Sequence, residues 1–91
     1  MQFEWDEEKA KRNENKHGIT FNEAASIFSA DYRFFFDKGD HDEPRFKAIG
    51  FDKYGRFLAV IYTMPSDYLI RIISARKATK NERNKFGKDH K

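Results

Sequence analysis

Residues 45–77 read RFKAIGFDKYGRFLAVIYTMPSDYLIRIISARK, which is three strand-like runs separated by two short connections. The runs are Arg45–Phe51, Phe57–Met64 and Leu69–Ala75. The first alternates polar and apolar residues, and the other two are rich in branched and aromatic side chains, as β-strands are. The connections, Asp52–Gly55 and Pro65–Asp67, are too short for a parallel crossover, which needs about a dozen residues. The stretch therefore predicts consecutive antiparallel strands.

The preceding residues predict two more strands and two helices. Phe3–Trp5 and the aromatic run Tyr32–Asp37 favour strands. Asp6 is a suitable N-cap for a helix that runs to about His17 and ends at Gly18.

Two capping boxes mark the start of further helices. The first, Thr20-Phe-Asn-Glu23, is followed by apolar residues at the spacing of one buried helical face, namely Phe21, Ala24, Ala25 and Phe28. The second, Thr79-Lys-Asn-Glu82, predicts a short basic helix that ends at about Phe86.

The resulting order is β-α-α-β-β-β-β-α, which predicts an α+β fold with an antiparallel sheet. Helices that are segregated from a run of strands are expected to cover one face of the sheet and to leave the other free for function. A chain of 91 residues predicts one domain spanning residues 1–91, with residues 87–91 as a disordered basic tail.

Charge is distributed unevenly along the chain. Residues 1–70 carry 10 Lys/Arg and 13 Asp/Glu, whereas residues 71–91 carry 8 Lys/Arg and 2 Asp/Glu. A basic segment of this kind indicates a polyanionic partner such as nucleic acid. The chain has no cysteine, no apolar run long enough to cross a bilayer and no signal-peptide pattern. We therefore expect a cytoplasmic protein without a membrane partner.

Two blocks of residues resemble the BrnT toxins of type II toxin–antitoxin systems. The first block contains Phe3-Glu-Trp-Asp6, Lys9, Asn13, Lys16-His-Gly-Ile19, Phe21, Glu23, Ala24 and Phe28. The second contains Val60-Ile-Tyr-Thr63, the run IRIISARKA over residues 70–78, Glu82 and Arg83, with Arg45 and Ile49-Gly50 between the blocks. The resemblance covers about residues 3–86.

This resemblance implies a RelE-like ribonuclease fold and RNA cleavage that halts translation. It also implies neutralisation by a BrnA-like antitoxin, with operator DNA bound only by the toxin–antitoxin complex. The loop of residues 37–44, which is mostly acidic, matches no pattern of the family.

Arg71 and Arg76 are the strongest candidates for catalysis. Metal-free RNA cleavage needs cationic donors for the charge that builds up on the phosphate, and guanidinium supplies permanent bidentate donors. On a straight strand the two side chains would point to opposite faces, so they can serve one site only if the strand ends or bulges near Ala75. The alternative is that they form structural ion pairs with Glu4, Asp6 or Glu23.

Tyr62 and His17 are further catalytic candidates. Tyr62 could stack on a base or donate its phenol, or it could be a core ring. His17 could carry a proton, or it could cap the end of the first helix. The residues expected to bind the RNA backbone are Arg45, Lys47, Lys77, Lys80 and Arg83.

The sequence offers no pattern for a metal site or for a cofactor. The acidic residues of the 37–44 loop lack the spacing of a calcium loop, so a solvated turn is expected there. The leading prediction is a metal-independent endoribonuclease. A nucleic-acid-binding module without catalysis is the alternative, and a third possibility is an interaction protein that docks an acidic partner.

Overall fold

A computed structural model of the chain describes residues 1–37 and 43–89. Within these residues five strands and three α-helices follow one another in the predicted order. The strands are β1 (Gln2–Glu4), β2 (Tyr32–Asp37), β3 (Arg45–Phe51), β4 (Phe57–Ser66) and β5 (Leu69–Lys77). The helices are α1 (Glu7–His17), α2 (Phe21–Ala25), which continues as a 3-10 helix over Ser26–Ser29, and α3 (Lys80–Asp89).

The five strands form one sheet in the order β1-β5-β4-β3-β2. Strands β2 to β5 are antiparallel to their neighbours, as the short connections require. Strand β1, in contrast, pairs with β5 in parallel. The α+β class is confirmed, but the sheet is mixed rather than wholly antiparallel. The pairing of β1 with β5 joins distant parts of the chain, so no hairpin fixes its direction.

The predicted caps define the helix ends. The Asp6 carboxylate accepts the Lys9 backbone N–H (3.0 Å), and Gly18 ends α1 with a φ of +71° that favours glycine. Thr20 and Glu23 form a complete capping box at α2. At α3 the Glu82 carboxylate accepts the Thr79 N–H (2.8 Å), and the Thr79 hydroxyl accepts the Glu82 N–H (3.2 Å).

Helix α3 continues to Asp89, beyond the predicted end at about Phe86. Residues 87–89, predicted to belong to a disordered tail, are therefore helical. Residues 90 and 91 lie outside the described part of the chain, as does most of the 37–44 loop.

One face of the sheet, here called the helix face, packs against α1 and α2. Ala48, Val60 and Ala75 lie side by side on this face across three strands, and all three are fully buried. The helical residues that cover them are Ile19, Phe21, Ala24 and Ile27. This cluster removes enough apolar surface from water to be the main source of stability in so small a chain.

The opposite face, here called the cation face, carries Arg45, Lys47, Arg71 and Arg76. It is not free along its whole length, because α3 packs on one end of it. The Phe86 ring of α3 lies edge-on to Phe57, with centroids 5.0 Å apart. The expectation that all helices cover one face is therefore wrong for α3.

The reason for this placement is a pair of aromatic rings on the cation face. Phe51 and Phe57 are paired residues at the β3–β4 hairpin, and their rings stack at 4.6 Å. Both rings would remain in water without Phe86, and α3 buries part of their surface.

The β3–β4 turn is built on Asp52. Its carboxylate accepts the backbone N–H groups of Tyr54 (3.0 Å) and Arg56 (2.8 Å), and Gly55 adopts a φ of +80°. The β4–β5 turn falls later than predicted, since β4 extends through Pro65 to Ser66.

Candidate nucleic-acid interface

A β-bulge in β5 determines which side chains share the cation face. Ile61 of β4 pairs with Ser74, but the next residue, Tyr62, pairs with Ile72. Ile73 is therefore an extra residue on β5, and the alternation of its side chains changes phase at this point.

The bulge places Arg71 and Arg76 on the same face. Arg71 pairs with Thr63 and Arg76 pairs with Ala59, and these two β4 residues have the same parity. Thr63 is the fourth residue after Ala59, so the two pairs are about 13 Å apart along β4. The sequence required a strand end or a bulge near Ala75 for both arginines to serve one site; the bulge lies at Ile73, two residues earlier, and places both side chains on one face.

Arg71 lies near the start of β5, in the part of this strand that pairs with β1. Its Nε atom donates to Glu4 Oε2 (2.5 Å), and its Nη1 atom is 3.7 Å from Glu43 Oε1. The ion-pair alternative therefore correctly named Glu4 as a partner. However, the Arg71 side chain is 43% exposed and its two partners are 40% and 52% exposed. Exposed pairs of this kind contribute about 0–1 kcal/mol, so an anion can replace the carboxylates at small cost.

Arg76 is bound more firmly, by Glu82 of α3. Its Nη1 and Nη2 atoms donate to the two Glu82 carboxylate oxygens at 2.7 and 2.9 Å, and Lys47 Nζ lies 2.8 Å from Oε2. The hydrogen bonds from Arg76, together with Lys47 and the Thr79 N–H, hold the pKa of Glu82 well below its usual range. Glu82 thus fixes α3 to the cation face and pairs with the predicted catalytic residue Arg76 and the predicted RNA-binding residue Lys47.

Arg45 and Thr63 lie on the cation face between Arg71 and β2. Phe46 pairs with Tyr62, so Arg45 lies beside Thr63 one residue further along. The Thr63 hydroxyl is buried and has no hydrogen-bond partner within the described residues. A polar row that includes Arg71, Thr63 and Arg45 therefore crosses the sheet.

His17 lies in a shallow cleft of about 240 Å³ between α1 and the outer edge of β5. We call it the β5-edge cleft, and it is lined by Lys9, Arg12, Asn13, Lys16, His17, Ile73 and Ser74. Ser74 lies between Arg71 and Arg76 on β5, and it belongs both to the cleft and to the cation face. The cleft therefore meets the cation face at Ser74, although neither arginine lines it.

Asn13 fixes α1 to this edge. Strand β1 pairs only with residues 69–71 of β5, so the edge beyond that point is open to α1. The Asn13 side chain accepts the Ala75 N–H (3.0 Å) and donates to the carbonyls of Ala75 (2.9 Å) and Ile19 (3.1 Å). One buried amide thus satisfies both backbone groups of Ala75 in the way that a neighbouring strand would.

Tyr62 does not belong to this surface. It lies on the helix face, 3% exposed, with its ring stacked on Phe46 (5.5 Å) and edge-on to Phe28 (5.2 Å). Burial raises the pKa of its phenol to about 12. The alternative of a core ring is what the structure shows, because Tyr62 has the parity of Leu58 and Val60 and therefore faces the core.

The remaining predicted cations lie near the start of α3. Lys77 and Arg83 line a second cleft of about 310 Å³, which also includes Arg56 and the rings of Phe51 and Phe57. Lys80, the first residue of α3, is exposed next to it. These residues form a basic rim that does not touch the β5-edge cleft.

Two groups of site residues are not among the sequence candidates. The capping box and the BrnT resemblance both include Glu82, but neither predicts that it binds Arg76. Lys9 and Arg12 lie within residues 1–70, whose net charge is negative. Their spacing with Lys16 would have placed all three on one side of a helix.

Within residues 1–37 and 43–89 no three His, Asp or Glu side chains cluster so that they could hold a metal ion. In the same part of the chain no helix has the length and apolarity that crossing a membrane requires.

Comparison with known proteins agrees with the fold and with the residues described. The family model described as ribonuclease toxin BrnT of type II toxin–antitoxin systems matches residues 5–82. The fold is also similar to the crystal structure of the Brucella abortus ribonuclease toxin BrnT. That comparison gives a TM-score of 0.69 and 30% sequence identity over 88% of this chain and 99% of that chain. A comparison with curated proteins gave no match. The chain belongs to the BrnT ribonuclease toxin family of type II toxin–antitoxin systems.

Proposed function

We propose that this chain is a metal-independent endoribonuclease that cuts RNA at the outer edge of β5. The observation that carries the proposal is the bulge at Ile73, which brings Arg71, Ser74 and Arg76 to one face. The cleft that contains His17 meets this face at Ser74. A cationic phosphate site and an imidazole that could carry a proton thus lie on either side of Ser74.

Arg71 is the proposed donor to the scissile phosphate. Its guanidinium is already aimed at carboxylate oxygens, and a phosphate oxygen has the same preference for bidentate N–H donors. The exposed Glu4 and Glu43 hold this side chain in place until RNA displaces them. Arg76 lies on the same surface of β5 but contacts RNA less directly, since Glu82 of α3 occupies its two terminal nitrogens.

The proposed reaction is an internal transesterification. His17 takes the proton from the 2′-hydroxyl, whose oxygen attacks the adjacent phosphorus. The bond from phosphorus to the 5′-oxygen breaks, the leaving oxygen takes a proton from water in the open cleft, and protonated His17 returns its proton to the hydroxide so formed. The products are a 2′,3′-cyclic phosphate and a 5′-hydroxyl end. Arg71 stabilises the charge on the phosphate oxygens in the transition state.

The basic residues around the two clefts serve RNA binding in this proposal. Arg45 and Lys47 lie on the cation face, and Lys77, Lys80 and Arg83 form the rim near α3. The partner is a BrnA-like antitoxin, and operator DNA is bound only by the toxin–antitoxin complex. The proposed location is the cytoplasm, where RNA and antitoxin are present.

The test is to incubate the purified protein with a defined single-stranded RNA, with and without EDTA. We expect cleavage that survives EDTA and yields 2′,3′-cyclic phosphate ends. The His17→Gln variant should lose most of this activity, about 100-fold or more, because glutamine cannot carry a proton. Lys53→Ala, which removes an exposed cation that lines neither cleft, is the control.

Three results would contradict the proposal. Cleavage that EDTA abolishes would show that a metal is needed. Tight binding of intact RNA would favour the alternative of a binding module without catalysis. Full activity of His17→Gln would remove His17 from the mechanism.

A further inference from the structure

The cations of α1 differ from those of the cation face in how they are paired. Lys47, Arg71 and Arg76 each contact a carboxylate. In the part of the chain that the structure describes, no carboxylate lies within ion-pair distance of Lys9, Arg12 or Lys16. The Asp6 carboxylate interacts electrostatically with Lys9 and Arg12 without forming an ion pair, so the positive charge of the three side chains is only partly compensated.

All three line the β5-edge cleft. At about 100° per residue, Lys9, Arg12 and Lys16 fall within about 60° of one another around the α1 axis. Glu7 and Glu14 fall on the opposite side of the helix, whereas Glu8 lies about 40° from Arg12. Helix α1 carries four Lys/Arg and three Glu, and on the side that lines the cleft its basic residues outnumber the acidic ones.

The cleft is built on a rigid support. Asn13 lies about 40° from Lys9 around the helix axis and fixes α1 to the backbone of Ala75 through buried hydrogen bonds. The cations are thus held at a constant position relative to Ser74 and to the two arginines. Unpaired cations that a helix holds rigidly along an open groove match the charge of a nucleic-acid backbone.

We propose that Lys9, Arg12 and Lys16 bind the phosphates of single-stranded RNA next to the scissile phosphate, so that the strand follows α1 away from the β5 edge. The distance from Lys9 to Lys16 along the helix is about 10 Å, the length of about three nucleotides of a stacked strand. The proposal rests on the proposed function, because it assigns the path of the RNA strand that the enzyme cuts.

The experiment measures binding of an RNA analogue that cannot be cut. A single-stranded 2′-O-methyl oligonucleotide is titrated into wild type and into the double variant Lys9→Ala with Lys16→Ala over a range of salt concentrations. The double variant Lys11→Ala with Lys53→Ala is the control, because it removes the same charge from exposed positions outside the cleft. Thermal melts establish that all three proteins are folded.

Each phosphate contact contributes about 0.7 to the slope of log K against log salt for a single strand. The cleft variant should therefore lose about 1.4 from this slope, and its Kd at 0.1 M salt should rise about 25-fold. The control variant should keep a slope within about 0.5 of wild type.

If the cleft variant and the control lose RNA affinity equally, only the net charge of the protein determines binding, and the proposal is overturned. Unchanged binding by the cleft variant would overturn it as well. Both outcomes are independent of cleavage. A wild-type protein that binds the analogue but cuts no RNA would refute the proposed enzyme and leave the binding path intact.

Discussion

Replacing Asn13 by alanine tests how α1 is positioned on the sheet. The amide makes three buried hydrogen bonds, two with the backbone of Ala75 and one with the carbonyl of Ile19. A buried hydrogen bond contributes about 1 kcal/mol net, and an orphaned buried backbone group costs about 1–3 kcal/mol. Asn13→Ala should therefore lower the free energy of unfolding by about 3–5 kcal/mol.

The loss is measured by urea denaturation followed by far-UV circular dichroism. A loss of about 3 kcal/mol corresponds to a fall in Tm of about 12–24 °C for a domain of this size. Asn15→Ala is the matched control, because Asn15 is exposed on the same helix. It should change the free energy of unfolding by about 0.5 kcal/mol or less, since alanine favours the helix.

A destabilisation of Asn13→Ala below about 1 kcal/mol would refute the reasoning, because it would mean that water satisfies the Ala75 groups equally well. RNA cleavage by the folded fraction of the variant gives a second readout. Since the α1 cations and His17 depend on this contact for their position, cleavage should fall as well.

Three further predictions concern the ion pairs and the core. Arg76→Ala should destabilise the fold by about 2–3 kcal/mol, because it removes two charged hydrogen bonds from buried Glu82. Arg71→Ala should destabilise it by at most about 1 kcal/mol, because its ion pairs are exposed. Equal losses of stability in urea denaturation would contradict the claim that only Arg76 has a structural ion pair. Glu82→Gln should lower the free energy of unfolding by about 2 kcal/mol at neutral pH. The pKa of Glu82 in the folded state lies below its usual value of 4.5. The difference in stability between wild type and variant should therefore shrink as the pH falls below about 4.5. A difference that stays constant with pH would show that the Glu82 charge is not responsible. Tyr62→Phe should keep RNA cleavage within about twofold of wild type, and a loss of about 100-fold would return Tyr62 to the active site.

Local signals in the sequence predicted most of the elements. The Asp6 cap, the Thr20 and Thr79 capping boxes and the Asp52–Gly55 turn each depend on neighbouring residues, so a single sequence contains the information. The antiparallel order of β2 to β5 followed from the shortness of the connections. These features also placed Arg71 and Arg76 on the last strand.

The errors concern contacts between distant residues. The parallel pairing of β1 with β5 and the position of α3 on the cation face depend on which surfaces remain uncovered after the other strands have paired. The stacked rings of Phe51 and Phe57 attract Phe86, and no local pattern predicts that contact.

The site itself could be predicted only in part. The parity of Arg71 and Arg76 showed that a bulge was needed, but nothing in the run RIISAR marks Ile73 as the extra residue. Tyr62 was ambiguous because its neighbours are apolar on both faces of β4. Glu82 satisfies two requirements at once, a capping box and an ion pair, and the sequence pattern reveals only the first.

The most direct test of the central claim is the rate of RNA cleavage by Arg71→Ala under saturating substrate. If Arg71 stabilises the transition state at the β5 edge, the rate should fall about 100-fold or more, since one such donor contributes about 3 kcal/mol. Urea denaturation of the same variant should show a change of at most about 1 kcal/mol. A variant that folds normally and cuts RNA at the wild-type rate would contradict the claim that this guanidinium binds the scissile phosphate.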